Sequence, residues 1–156
     1  MKDDVKRELP PPAIAQLCRL EIKLMIKPSQ LEPIAIAVPS FSAEWKRLLV
    51  EIGQDSVSIG VEFQFSMCEH LTAQAATGDF RGFSCLFDAL EEPLKEPSTE
   101  LYDELTSGLL NTLLHTCERK GIDLGLVAGC ITGPTVRKEW NASYRWTHRD
   151  EEPPWL

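Results

Sequence analysis

The chain of 156 residues is long enough for one domain with one core, and its 43% hydrophobic and 26% charged residues are typical of a globular protein. It carries 16 basic against 24 acidic residues, and this net charge of −8 argues against a general nucleic-acid-binding protein and against adhesion to an anionic membrane. No apolar run reaches the roughly 18 residues of a transmembrane helix, and the charged N-terminus leads into three prolines and not into a signal-peptide core. We therefore expect an acidic, cytoplasmic protein.

Residues 1–38 are expected to form an N-terminal arm. Apolar and charged residues alternate from Leu20 to Lys27, as in a strand, with Met25 as the exception, and residues 34–38 form a second short apolar run between two prolines. Both a small hairpin and an N-terminal helix with an extended arm fit this pattern.

From residue 39 to about residue 146 the pattern predicts a helical domain. Ser42 can cap a first helix that ends before Gly53, and Asp55 or Ser56 can cap the next. Residues 57–67 alternate as in a strand, but the run continues to residue 76 with helical composition. We interpret residues 56–76 as one central, buried helix because it is apolar almost all round, and a strand remains the alternative.

The second half of the chain predicts four more helices. They begin after Asp79, after Ser98 or Thr99, at about Asp123, and at Pro134, and Gly121 is expected to end the second of them. A polar tail, residues 147–156, is expected to be mobile. The predicted fold is all-α, a compact bundle of five to six antiparallel helices that is compatible with HEAT-like stacking.

Acidic residues are concentrated in one part of the chain. Residues 31–118 carry fifteen acidic against four basic residues, whereas residues 119–149 carry two against six. The densest stretch, which we call the acidic set, consists of Asp88, Glu91, Glu92, Glu96, Glu100, Asp103 and Glu104. On helical geometry five of them face away from the predicted apolar stripes: Asp88, Glu92, Glu100, Asp103 and Glu104. The set forms either a solvated surface or a docking surface for a basic partner.

The sequence predicts no metal site, no cofactor and no catalytic residues. The five cysteines include no Cys-x-x-Cys pair, and we expect them to be reduced and mostly buried. The pairs Cys68/His70 and His115/Cys117 are two residues apart, so on a helix their side chains diverge and cannot bind one ion. Phosphate-loop, dinucleotide and hydrolase motifs are absent, and an enzyme with an unrecognised site is the weaker hypothesis.

Three tryptophans lie near the C-terminus. Trp140 is expected to pack the last helix onto the core, because tryptophan buries a large apolar area. For Trp146 we favour packing on the chain itself over an interface anchor, and for Trp155 both roles are open.

A series of short motifs runs through residues 39–146 in a fixed order. They are Pro39-Ser40-Phe41 followed by Trp45, Glu69-His70-Leu71, Gly78 with Phe80, Leu86-Phe87-Asp88-Ala89-Leu90-Glu91, Gly108-Leu109-Leu110, and Gly133-Pro134 followed by Trp140. With these motifs the chain resembles an uncharacterised family of small bacterial helical proteins that look like immunity proteins, which neutralise a toxin by binding it. The resemblance implies no catalytic residues. Asn111 and Thr132 depart from the family pattern, which has Glu and Leu at these positions.

The leading hypothesis is a non-enzymatic immunity protein, monomeric or homodimeric, that occludes a basic toxin domain with the acidic set. Neither a nucleic acid nor a membrane is an expected partner. The alternative is a helical adaptor or regulator that binds another protein through the N-terminal arm.

Overall fold

A computed structural model describes residues 26–53 and 56–156, and it confirms the all-α prediction. This part of the chain contains seven helices and no strand: α1 Pro28–Ala37, α2 Ser42–Ile52, α3 Ser56–Ala76, α4 Arg81–Leu90, α5 residues 100–120, α6 Leu124–Ala128 and α7 Pro134–Thr147. One 3-10 turn, Pro39–Phe41, precedes α2, and another, Pro93–Lys95, follows α4. In these described ranges no helix has the length and apolar character needed to cross a membrane.

Helix α3 lies at the centre of the bundle and contacts α1, α2, α4 and α5. Ile59, Phe63 and Met67 follow at intervals of four and are fully buried. The apolar residues between them, Val61 and Phe65, are 48% and 55% exposed. The strand-like alternation of this segment therefore arises from a helix that is apolar on both its buried and its outer face, and the helical interpretation is confirmed.

Helix α1 begins the core, although it lies inside the predicted arm. Leu31, Ile34 and Ala35 are buried, and Pro33 stands inside the helix. Of the two alternatives for the arm, the hairpin is wrong in its second strand, because residues 34–37 belong to this helix. Residues 1–25 and the proposed cap Asp55 lie outside the described residues.

Helix α5 contains a wider central segment that the sequence did not predict. It is α-helical over Glu100–Asp103, π-helical over Glu104–Leu110, and α-helical again over Asn111–Lys120. The predicted ends are confirmed: the Thr99 hydroxyl accepts a hydrogen bond from the Tyr102 N–H at 3.1 Å, and Gly121 adopts the left-handed conformation (φ 69°) that ends helices.

The π segment meets α3 through two reciprocal pairs of a glycine and a long polar side chain. The Gln64 amide of α3 donates a hydrogen bond to the Glu104 carboxylate. A Cβ atom at Gly60 would stand 2.7 Å from Glu104 Oε1, and a Cβ atom at Gly108 would overlap the Gln64 amide. Each glycine thus provides the space for a side chain of the opposite helix.

The C-terminal tail, expected to be mobile, is packed against α7. The Trp155 indole donates a hydrogen bond to Asn141 Oδ1 at 2.9 Å, and its ring centre lies 4.9 Å from that of Tyr144. Pro153 is buried. Aromatic contacts and one side-chain hydrogen bond therefore hold a segment whose composition is mostly polar.

Close packing of α4 on α3 predicts that Gly82→Ala destabilises the fold. A Cβ atom there would lie 2.5 Å from Cδ2 of the fully buried Leu71. We expect a loss of about 1–3 kcal/mol in the free energy of unfolding, measured by urea denaturation, although alanine is the better helix former. In a double-mutant cycle with Leu71→Ala this cost should shrink, since the clashing methyl group is gone; strict additivity would contradict the steric explanation.

Candidate functional site

Three members of the acidic set accept hydrogen bonds from residues that are 40 or more positions away in the sequence. Asp88 accepts one from the Thr132 hydroxyl at 3.0 Å, and Glu104 accepts one from Gln64. Glu91 accepts two, from the backbone N–H groups of Thr135 (2.9 Å) and Val136 (3.0 Å). These carboxylates connect elements that lie far apart in the sequence.

Glu91 acts as the N-terminal cap of α7. The residue at the capping position is Gly133, which has no side chain of its own, and a Cβ atom there would overlap the Glu91 carboxylate. Partial burial works to raise the pKa of Glu91, but the hydrogen bonds from Val136 and Thr135 outweigh it and hold the pKa below its ordinary value. A carboxylate at a helix N-terminus is also stabilised by the helix dipole.

Of the other four members of the acidic set, Glu92, Glu96 and Asp103 are exposed and Glu100 is half-buried. Glu92 forms an exposed ion pair with Lys95 at 2.5 Å. Glu96, Glu100 and Asp103 have no side-chain partner among residues 26–53 and 56–156, and we call these three the open carboxylates. Glu100 and Asp103 are three residues apart on the first turn of α5, so they share one face of that helix.

Asp103 also lines an open groove of about 620 Å³ between α5 and α7, which we call the α5/α7 groove. Its walls consist of Tyr102, Asp103, Thr106, Ser107 and Asn111 from α5 and Glu139, Ala142, Ser143 and Trp146 from α7. This lining contains two carboxylates and, among the described residues, no lysine, arginine or histidine. The groove is therefore an acidic extension of the surface formed by the open carboxylates.

One hydrogen bond between the two walls and one within α5 help to fix the shape of the groove. The Tyr102 hydroxyl donates to Glu139 Oε1 at 2.8 Å, and the Thr106 hydroxyl donates to the Tyr102 carbonyl at 2.9 Å. The bond to Glu139, together with partial burial, raises the pKa of Tyr102 to about 12, so this phenol stays neutral at physiological pH. Helix α5 contributes Thr106 and Ser107 from its π segment, a type of segment that is frequent at functional sites.

Trp146 forms the exposed edge of the groove. Its side chain is 83% exposed, the largest exposure of an aromatic residue in the described part of the chain. The favoured expectation that it packs on the chain itself is wrong. Trp140 is fully buried as expected, and Trp155 takes the packing role.

Two of the sequence motifs, Pro39-Ser40-Phe41 and Glu69-His70-Leu71, contact each other through Ser40 and His70. Ser40 Oγ and His70 Nε2 are 2.8 Å apart, and burial lowers the pKa of His70. The nearby carboxylate of Glu44 is bound by Arg47, and in the described residues no carboxylate is hydrogen bonded to His70. The pair therefore lacks the carboxylate that orients a catalytic histidine. Its contact links α3, which carries His70, to the turn that precedes α2 and carries Ser40.

The buried thiols and the remaining histidines do not form a metal site. Burial raises the pKa of Cys117 to about 12 and raises that of Cys68 as well, so both thiols are protonated. In the part of the chain that the structure describes, no cluster of three or more His, Cys, Asp or Glu side chains is arranged to hold a metal ion.

The role of Glu91 predicts a pH-dependent stability. Glu91→Ala leaves two backbone N–H groups of α7 without their acceptor and should cost about 1–3 kcal/mol at pH 7, measured by urea denaturation. The folded-state pKa is lowered, so this stabilisation is complete above the ordinary value of 4.5 and disappears as the pH falls through the folded value. The exposed neighbour Glu92→Ala is the control. An equal cost for both variants at pH 7 would contradict the capping role.

No protein-family model, curated protein or solved structure matches this chain. The candidate site is therefore the acidic surface of α5 together with the α5/α7 groove, defined by geometry and charge.

Proposed function

We propose that this chain is a non-enzymatic, cytoplasmic protein-binding protein, most concretely an immunity protein that neutralises a basic toxin domain by covering it. One observation carries the proposal: Asp103, one of the three open carboxylates, lines a preformed groove at which Trp146 is 83% exposed. A protein surface that combines unpaired like charges with an exposed tryptophan has the composition of a binding interface.

The two parts of this surface contribute in different ways. The open carboxylates lie toward solvent, so they mainly accelerate the encounter with a positively charged partner, and salt screens this effect. Trp146 offers a large apolar area that loses water only when a partner covers it, and such anchors supply most of the affinity of an interface.

The chemistry of the groove supports binding over catalysis. Its hydroxyl groups belong to Tyr102, Thr106, Ser107 and Ser143, and the described residues contribute no histidine, lysine or cysteine to the lining that would activate them. Two of these hydroxyls are already engaged in hydrogen bonds within the chain. The motif resemblance described above supports the toxin-neutralising form of the proposal.

A charge-reversal experiment tests the proposal. The tagged chain captures its partner from the lysate of its host, and the affinity of the purified pair is then measured by surface plasmon resonance at low and high salt. For Glu96→Lys combined with Glu100→Lys we expect at least a roughly tenfold weaker affinity and a smaller salt dependence, because two steering charges change sign.

The matched control is Glu62→Lys combined with Glu151→Lys. Both of these residues are exposed and lie outside the acidic set, and the change in net charge is the same. The control should keep the affinity of the unmodified chain. Equal affinities for the two double variants would remove the acidic surface from the interface.

A further inference from the structure

We infer that the α5/α7 groove binds an arginine side chain of the partner protein, with the guanidinium group at the carboxylates of Asp103 and Glu139 and against the ring of Trp146. The inference relies on the proposed function only for the statement that the arginine belongs to a partner protein. It adds to that function the identity of the chemical group that the groove binds.

The charge of the groove excludes an anionic ligand and favours a cation. Asp103 and Glu139 are its two carboxylates, and no basic side chain of the described residues lines it. Among nearby cations, Arg145 forms an ion pair with Glu152 at 3.1 Å, and Lys138 is exposed outside the lining. A phosphate or carboxylate ligand would therefore meet like charges without compensation.

The shape of the site favours arginine over lysine. A planar guanidinium stacks on an aromatic ring and binds carboxylate oxygens through parallel N–H groups, whereas an ammonium group is a strongly hydrated point charge. Trp146 offers the exposed ring. The volume of about 620 Å³ also leaves room for the backbone that carries the arginine.

The groove is prepared for this ligand before it arrives. The Tyr102 hydroxyl occupies Glu139 Oε1, which fixes the direction of that carboxylate and leaves Oε2 without a partner among the described residues. Asp103 has no side-chain partner in the same part of the chain. Since the walls already hold each other, binding costs little ordering of the protein.

The inference is tested by nuclear magnetic resonance on the full chain with three small probes. N-acetyl-arginine amide is the ligand, N-acetyl-lysine amide is the second cation, and N-acetyl-citrulline amide is the neutral isostere of arginine. The signal is the indole N–H resonance of Trp146, which is assigned from the spectrum of Trp146→Phe.

We expect a saturable shift of this resonance with the arginine probe, with a dissociation constant of about 1–10 mM, as is usual for one side chain. The lysine probe should bind several-fold more weakly, and the citrulline probe should leave the resonance unchanged. Asp103→Asn should lower the affinity for the arginine probe roughly fivefold or more, whereas the exposed control Glu62→Gln should leave that affinity unchanged. No saturable shift, or equal shifts with arginine and citrulline, would overturn the inference.

Two further observations separate this inference from the proposed function. If the arginine probe does not bind while Glu96→Lys combined with Glu100→Lys still weakens the partner complex, the inference fails and the acidic docking surface stands. If the Trp146 resonance shifts on dilution of the chain alone, a second copy occupies the groove, and the assignment to an arginine of another protein is wrong.

Discussion

The fold depends on burying α3, a helix that is apolar on nearly all of its faces. Such a helix needs neighbours on several sides, and α1, α2, α4 and α5 provide them. Two close approaches use glycines: Gly60 on α3 itself, facing the π segment of α5, and Gly82 on α4, facing Leu71. Because the remaining helices pack around this arrangement, the positions of α5 and α7, and of the groove between them, follow from the burial of α3.

The π segment connects this core to the surface. Gln64 and Glu104 bond to each other in the space that Gly60 and Gly108 leave open, so the wide turns of α5 match the contour of α3. In a π-helix each N–H group bonds five residues back, which makes the helix wider. Thr106 and Ser107 follow Tyr102 and Asp103 at intervals of four along one wall of the groove, a spacing that an α-helix also brings to one face. The unusual backbone therefore serves the packing of α5 on α3.

Helix ends were predictable because their signals are local: Thr99, Gly121 and Pro134 each act within one turn of the chain. The π segment was not predictable, because Leu105, Leu109 and Leu110 give the same apolar pattern in the sequence whether the helix is α or π. Helix α1 was hidden by Pro33, which normally argues against a helix interior. The site was half predicted: sequence identified the acidic residues, but the partners of Glu91 lie 44 and 45 positions away, and local patterns contain no such information.

The division of the acidic set has a consequence for how its charge acts. Glu91 fixes the start of α7, which carries Glu139 and Trp146, and Glu104 ties the π segment of α5 to α3. These carboxylates hold the two walls of the groove, whereas in the proposed function the open carboxylates act on an approaching partner. A buried or capping carboxylate costs stability when it is lost, and an exposed one does not. Reversal of the whole acidic set would therefore disturb the fold and the binding surface together, and only Glu96, Glu100 and Asp103 report on binding separately from the fold.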